Sequence, residues 1–403
     1  DEASQVRPCD AIGSIYRGKQ VIIAGDERQL PPTTFFTQVT SKDDDTYDPK
    51  DTPDFESVLK LAQGSAGIPT MPLKWHYRSK HEHLITFSNR EFYANQLITY
   101  PGAIEKADDL GVYFHHVPEG IYDRGGLKDN INEAKQVVKR MFFYAERYPN
   151  KTQGVVTFNT GQQYRIEAEL EAALKERPDL QAYFYNENMR DRSNGYFIKN
   201  IESVQGDERD FIIFSVGYGK DENGKLSMNF GPLNKEGGYR RLNVAITRAK
   251  MRIDIFSSIT HQDFTANSKS RGIKALRSYL KFADLGMKAF ADPKGDDMGE
   301  TENPFEEDVL REIKALGYDV VPQRGCAGYR IDLAVRHPER EGEFILGVEC
   351  DGATYHSSRT ARDRDRLRQE VLEGLGWTIH QIWSTEWFFN RKEEIQKLKQ
   401  KLQ

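Results

Sequence analysis

The chain opens on Asp-Glu-Ala-Ser-Gln, and its first two residues are adjacent carboxylates whose types suggest chemistry. Nucleotide hydrolases place such a pair at the end of a buried strand, the first acid holding Mg²⁺ and the second polarising a water. Asp1 and Glu2 would take those two parts. A second set of acids lies far down the chain: Asp332 in RIDLAV, then Glu349 and Asp351 in GVECD. If both stretches are adjacent strands, Glu349 and Asp351 share a face, because side chains at i and i+2 point together. Asp332 would then approach them from the neighbouring strand. Three converging carboxylates make an oxygen-rich pocket suited to Mg²⁺ or Mn²⁺, and acids on a strand face are costly to bury without a cation. A metal there would activate water and stabilise a pentacovalent phosphate, the usual route to phosphodiester cleavage.

Elements must hold these groups in place. The run QVIIAG (20–25) predicts a buried parallel strand that enters the polar loop GDERQLPP. Ligands of such sheets sit beyond the carboxyl ends of the strands, which puts Asp26 and Gln29 where a phosphate would be sensed. Residues 33–54 are acidic and turn-rich, as an exposed loop would be, and the next helix is expected from Asp54. After residue 70, the strands LKWHYRS, GVYFHHV, GVVTFN, FIKNIESVQG, FIIFSV and MRIDIFSS alternate with helices over HEHLITFSNREFY, 131–148, 161–175 and near NVAITRAK. This alternation predicts an α/β fold with a doubly wound parallel sheet.

The texture changes at residues 286–303, where Gly, Pro and acids replace any periodic apolar face; a linker is expected there. Beyond it, Val309, Leu310, Ile313 and Leu316 fall at helical spacing, GYRIDLAV and FILGVECD read as strands, and Leu367, Val371, Leu372 and Leu375 mark a helix stopped by Gly376. TIHQIW is a final strand, which gives a small α-β-β-α-β unit.

At 403 residues the chain has room for two or three cores. Its 38% hydrophobic and 30% charged content exclude a disordered or fibrous class, and no apolar run approaches membrane-spanning length. No secretory leader is evident, so a cytoplasmic setting without membrane contact is expected. Cys9, Cys326 and Cys350 are too far apart for a CxxC zinc site and read as reduced thiols. A formal charge of −5 argues against wholesale polyanion binding, so contact with nucleic acid must rest on local sites.

Taken in order, DEASQ, GDERQLPP, WHYRSK, SVQGDERD and RRLNVAITRAK resemble the motif series of superfamily 1 helicases of the DEAxQ (1B-like) branch, over residues 1 to about 265. The resemblance implies a RecA-like, P-loop NTPase core that uses ATP and Mg²⁺. It further implies that Asp1 holds Mg²⁺ and Glu2 is the catalytic base, that Gln5 and Gln29 sense the γ-phosphate with Asp26 supporting that loop, and that Tyr77 stacks on adenine. Arg78 and Arg248 would be arginine fingers. Gln205, Gly206 and Glu208 would link nucleotide to the nucleic-acid strand, whereas Asn243 and Thr247 would cap or orient. The family's GxxxxGK[ST] phosphate loop lies upstream of the paired acids and occurs nowhere in these residues. The chain is therefore expected to be the C-terminal portion of a longer helicase with its first lobe truncated, and to hydrolyse ATP poorly by itself.

Residues 304–403 resemble the PD-(D/E)XK nucleases, particularly the Vsr-like group. The matching pieces are the helix with Glu306 and Glu307, the strand with Asp332, the VECDG segment, His356, the run from Arg359 to Arg368, and Gly376, Trp377 and Trp383. The resemblance implies Asp332, Glu349 and Asp351 as catalytic metal ligands. Asp351 stands where many members carry lysine, so the activating role would pass to His356 or a second metal. The arginine-rich run would be a solvated helix face or touch phosphates.

The expected organisation is residues 1–70 as the remnant of a first RecA-like domain, 71–285 as a second, 286–303 as linker and 304–403 as a nuclease domain. The expected function is an ATP-dependent translocase with a metal-dependent endonuclease, acting on single-stranded or forked DNA in repair or defence. Alternatives are a degenerate nuclease fold that only binds DNA and an RNA-directed remodelling ATPase.

Overall fold

The computed structural model describes residues 1–32, 55–65, 67–189, 195–265, 268–290, 301–325, 328–352 and 359–402, of which 186–189 and 359–365 by backbone alone. At the start, α1 (Pro8–Arg17) begins with proline, whose fixed φ suits a first turn. The next helix, α2 (Val58–Gly64), begins where the Ser57 hydroxyl accepts from the Lys60 amide. Asp54, the expected start, lies outside the described residues. Ala3, Val58 and Leu59 form a small buried cluster with Val6, Ala11 and Ile23.

The expected strand QVIIAG is not one: residues 21–25 have no strand pairing, and Val21 and Ile22 are 47% and 84% exposed. A strand is defined by neighbours that take its amides and carbonyls. Here the described backbone contact is a single bond, Ala3 N–H to the Ala24 carbonyl at 2.9 Å.

The short strands β1 (Trp75–His76) and β2 (Ile98–Thr99) pair in parallel around α3 (His83–Phe92). They are followed by β3 (Gly111–His116), α4 (Ile131–Arg147), β4 (Gln153–Thr157), α5 (Thr160–Glu176), α6 (Pro178–Met189), β5 (Phe197–Asn200), β6 (Arg209–Ser215), α7 (Gly238–Ile246), β7 (Ala249–Ser257) and α8 (Arg271–Leu285). These strands form one wholly parallel sheet in the order β3-β7-β6-β4-β5. Period-two alternation splits their apolar residues between two cores. Val156, Ile212, Phe214 and Ile253 pack with α3, α7 and α8, while Val155, Phe211, Ile213 and Met251 pack with α4, α5 and α6. Asn130, Asn159 and Ser270 cap α4, α5 and α8, each contributing about 1 kcal/mol. The expected α/β class with a parallel sheet is thus the fold observed.

After the linker segment, of which 291–300 lie outside the description, come α9 (Pro304–Ala315), β8 (Val320–Arg324), β9 (Ile331–Arg336), β10 (Phe344–Asp351), α10 (Arg359–Gly374), β11 (Ile379–Trp383), α11 (Ser384–Phe389) and α12 (Arg391–Leu402). The sheet order is β11-β10-β9-β8, with β11 parallel to β10 and the other pairs antiparallel. The expected α-β-β-α-β unit therefore gains the edge strand β8 and two terminal helices. Gly376 ends α10 with φ +92°, and Trp377 N–H reaches back to the Leu372 carbonyl.

The small sheet and the central body share a core. Tyr100 and Ala103 are buried with Ile331, Ala334, Phe344, Leu372 and Trp377. Trp377 Nε1–H donates to the Pro101 carbonyl at 2.8 Å, Phe344 N–H to Ala103 at 2.9 Å, and Arg324 pairs with the buried Glu82 at 2.8 Å. No helix among the described residues is long and apolar enough to cross a membrane.

Candidate nucleotide and carboxylate sites

Three motifs far apart in sequence meet around Glu2. Its Oε2 accepts from Gln5 Nε2 at 3.1 Å and from Gln205 Nε2 at 2.9 Å, while Gln205 Oε1 accepts from the Leu30 amide at 3.3 Å. Gln205 can sit there because Gly206 turns the chain with φ +85°, a conformation that suits glycine. Glu2 itself has φ +56°, sparsely populated for a side-chain-bearing residue. Asp1 is exposed, its Oδ1 accepting from the Glu2 amide at 2.9 Å.

Asp26 organises the GDERQ loop. Its Oδ1 accepts from Arg28 N–H at 2.8 Å, and its Oδ2 from Gln29 Nε2 at 3.1 Å and the Tyr93 hydroxyl at 2.6 Å. Asn243 Nδ2 donates to the Tyr93 oxygen and to the Arg28 carbonyl, both at 3.0 Å. Burial, then the Asp26 charge, raises the Tyr93 phenol above its ordinary range, so it stays a donor.

Arg78 Nε lies 3.2 Å from Glu208 and Lys250 Nζ 2.7 Å from the same carboxylate. The hydrogen bond from Lys250 holds the Glu208 carboxyl below its usual range. Arg248 is only 5% exposed, and its described partners are the carbonyls of Val244 and Asp207 and the Thr247 hydroxyl. Its guanidinium pKa is lowered by burial first and by the charge of Arg78 second. A desolvated Arg248 that faces the charge of Arg78 sits where a further anion would favour its charged form. Tyr77, 68% exposed, is not drawn into this cluster.

In the small sheet, β9 and β10 pair Val348 with Leu333, and this register continues toward Glu349 and Asp332. Asp332 Oδ2 accepts from the Cys350 amide at 2.7 Å, and Glu349 Oε1 from the Tyr329 hydroxyl at 2.6 Å. Burial pushes Asp332 up to about 6, helped by the charges of Glu306 and Asp351. Burial, then the charge of Asp332, pushes Glu349 up to about 8. Asp351 takes a hydrogen bond from Gln381. Among the described residues, no group of three His, Cys, Asp or Glu side chains stands ready to hold a metal ion. The charge of Asp351 acts on both Asp332 and Glu349, while its carboxylate is engaged by Gln381 on β11. The donor chemistry of Asp332 and Glu349 nevertheless fits a hard divalent cation, since both are part-buried oxygen donors. His356 lies outside the described residues.

Sequence reasoning missed several residues. Tyr93 and Tyr329 are ordinary apolar-pattern aromatics until the fold brings acids to their hydroxyls. Gln323 Nε2 links buried Glu306 (3.1 Å) to Asp332 (3.5 Å), and Glu306 also accepts from Glu302 N–H at 2.8 Å. Glu306, in the first turn of α9 after the cap Asn303, is the one of these that the sequence had already singled out.

A family model described as an AAA domain matches residues 54–260, just over half of the chain, and the REase_MTES_1575 model matches residues 305–402. An ATP-dependent helicase of Mycoplasma pneumoniae, the MG140 homolog, is 33% identical over 99% of this chain and 36% of its own length. ATP-dependent helicase MG140 of Mycoplasma genitalium is 30% identical over 100% of this chain and 36% of its own length. The chain therefore spans about a third of the length of these curated relatives. Among solved structures, the C-terminal domain of a possible DNA helicase from a Lactobacillus is similar with a TM-score of 0.28 and 14% identity, covering 51% of this chain and 96% of that one.

Proposed function

We propose, from the premise that the chain belongs to the AAA domain family, that it forms part of an ATP-dependent helicase or translocase of superfamily 1 type carrying a Vsr-like PD-(D/E)XK endonuclease domain. Residues 1–70 and 71–285 would belong to the motor, 286–303 would connect, and 304–403 would cut. The observation that carries the motor reading is the contact of Gln205 with both Glu2 and Leu30, which draws DEASQ, GDERQ and SVQGDE into one cluster beside Arg78 and Arg248. In that cluster Asp1 would hold Mg²⁺, Glu2 would take a proton from the attacking water, and Gln5 and Gln29 would sense the γ-phosphate. Arg78 and Arg248 would stabilise charge on it. Tyr77 would stack on the base, while Gln205, Gly206 and Glu208 would couple the nucleotide to a bound strand.

In the small domain, Asp332 and Glu349, with Asp351 moving in, would hold Mg²⁺ or Mn²⁺. Such an ion, when bound, supplies an activated water and neutralises charge on the scissile phosphate. His356 is a candidate general base. Tethering would keep the cutting domain at high local concentration on DNA the motor occupies, single-stranded or forked. A role in repair or defence belongs to the same reading by analogy alone. A second reading, a DNA-binding module without cleavage, is favoured by the engagement of Asp351 with Gln381 and by the absence of a ready three-ligand set among the described residues. RNA in place of DNA fits the motor motifs equally well.

The test is nicking of supercoiled plasmid and cutting of single-stranded and forked DNA by the chain with Mg²⁺ or Mn²⁺ and no ATP. We expect cleavage that disappears in Asp332→Ala. Gel-shift binding without cleavage on any substrate would leave the binding-module reading, and preference for matched RNA over DNA would redirect the motor reading.

A further inference from the structure

We propose that Tyr329 is a positioning residue for Glu349 and that its seat is Tyr100 of the motor body, so that the carboxylate centre is completed by docking of the two bodies. The proposal rests on the reading of Asp332 and Glu349 as a metal-dependent centre and names what regulates it.

Tyr329 lies in the connection between β8 and β9, so no strand ladder fixes it. Its hydroxyl nonetheless donates to Glu349 Oε1 at 2.6 Å. What holds the ring comes partly from outside the small domain. The Tyr100 ring, 4% exposed, packs on it with centroids 4.9 Å apart and planes at 39°, while the Arg368 guanidinium of α10 sits 5.2 Å from its centroid. The preceding residue, Gly328 (φ +79°), lies so close to β2 that a Cβ there would stand 3.1 Å from Ile98. The motor's β2 segment therefore forms one wall of the loop that carries the donor.

Tyr100 is itself held edge-on by Trp75, at 5.9 Å and 72°, and Trp75 lies three residues before Arg78. Trp75, Tyr100, Tyr329 and Glu349 thus form an unbroken series of contacts from the WHYRSK segment to the carboxylate. Outer partners that orient a metal-binding carboxylate typically change metal affinity 10–100-fold when removed. Removing the seat should act in the same direction as removing the hydroxyl, because a donor that wanders no longer fixes its acceptor.

The experiment is calorimetric titration of the whole chain with Mn²⁺, for wild type, Tyr329→Phe, Tyr100→Ala and Tyr100→Phe, with thermal melts to establish that each is folded. We expect 10–100-fold weaker Mn²⁺ binding in Tyr329→Phe, a comparable loss in Tyr100→Ala although Tyr100 does not touch Glu349, and a smaller loss in Tyr100→Phe, which keeps the ring but gives up the hydroxyl's interaction with Arg368. Tyr100→Leu replaces Tyr100→Ala if the latter does not fold. Unchanged binding in both Tyr329→Phe and Tyr100→Ala would overturn the proposal while leaving the metal-centre reading intact. Loss in Tyr329→Phe alone would overturn the seat. A wild-type chain that binds no Mn²⁺ would overturn the metal-centre reading and the proposal with it.

Discussion

Gln205 donates to Glu2 across 203 positions of sequence, Nε2 to Oε2 at 2.9 Å. Its other side-chain atom accepts from Leu30, so one amide uses both ends to tie two motifs to a third. An amide can do this because it is donor and acceptor at once; a carboxylate cannot. Gln205→Glu would set two negative charges against each other where a neutral donor now stands. Binding of a fluorescent ATP analogue with Mg²⁺ is therefore expected to weaken in the order wild type, Gln205→Ala, Gln205→Glu. Equal affinity in all three would show that the contact does not shape the nucleotide site.

Tyr93 offers a test by stability. Its hydroxyl donates to Asp26 and accepts from Asn243, which also donates to the Arg28 carbonyl. Tyr93→Phe leaves a carboxylate oxygen and an amide each short of a partner in a part-buried place, at a cost of about 1–3 kcal/mol. Asn243→Ala should cost a similar amount. The double variant should cost less than the two added together, because both remove the same shared bond. Denaturant midpoints of the four proteins would measure the coupling.

How much of this could be read from the sequence depended on whether a feature was local. The runs GVVTFN and FIIFSV are strands by their β-branched residues and remain so because helices cover both faces. QVIIAG has the same composition and is not a strand, since pairing comes from neighbours that a run of letters does not contain. β8 escaped notice because Pro322 interrupts it, which an edge strand tolerates and an interior one does not. The helix α8, with Ile273, Leu276 and Leu280 at helical spacing, was legible but lay beyond the last motif. The acids of both candidate sites were visible by type. Their partners Tyr93, Gln323 and Tyr329 were not, because a tyrosine or glutamine signals nothing until the fold brings an acid to it.

The seam between the two bodies makes a different prediction. Trp377 is 3% exposed, stacks on Phe344 at 5.3 Å and donates to Pro101, whereas the Lys106–Glu341 pair leaves its side chains 70% and 88% exposed. Burial of an indole outweighs an exposed ion pair. Trp377→Ala is expected to cost about 3–5 kcal/mol and to separate the melting of the small domain from that of the central body. Glu341→Ala should leave the melting profile unchanged. Scanning calorimetry would distinguish the two.

The carboxylate centre sets a pH dependence whose sign is fixed by the direction of its shifts. Asp332 and Glu349 are raised from ordinary values of 3.8 and 4.5 to about 6 and about 8, first by burial. A carboxyl with a raised pKa holds its proton more tightly in the folded chain than in the unfolded one. Its contribution to stability is therefore fully present below about pH 4 and is lost as pH rises through about 6 for Asp332 and about 8 for Glu349. A divalent cation binds the deprotonated form, so it competes with these protons and returns the lost stability only where they have left. The melting temperature without metal should accordingly fall between pH 5 and pH 8, and added Mg²⁺ should raise it more at pH 8 than at pH 5.5. Asp332→Asn combined with Glu349→Gln should flatten the pH profile and abolish the Mg²⁺ increment. A metal-free profile that instead rises through this window would mean that both acids stay ionised in the folded chain, held by partners other than a cation.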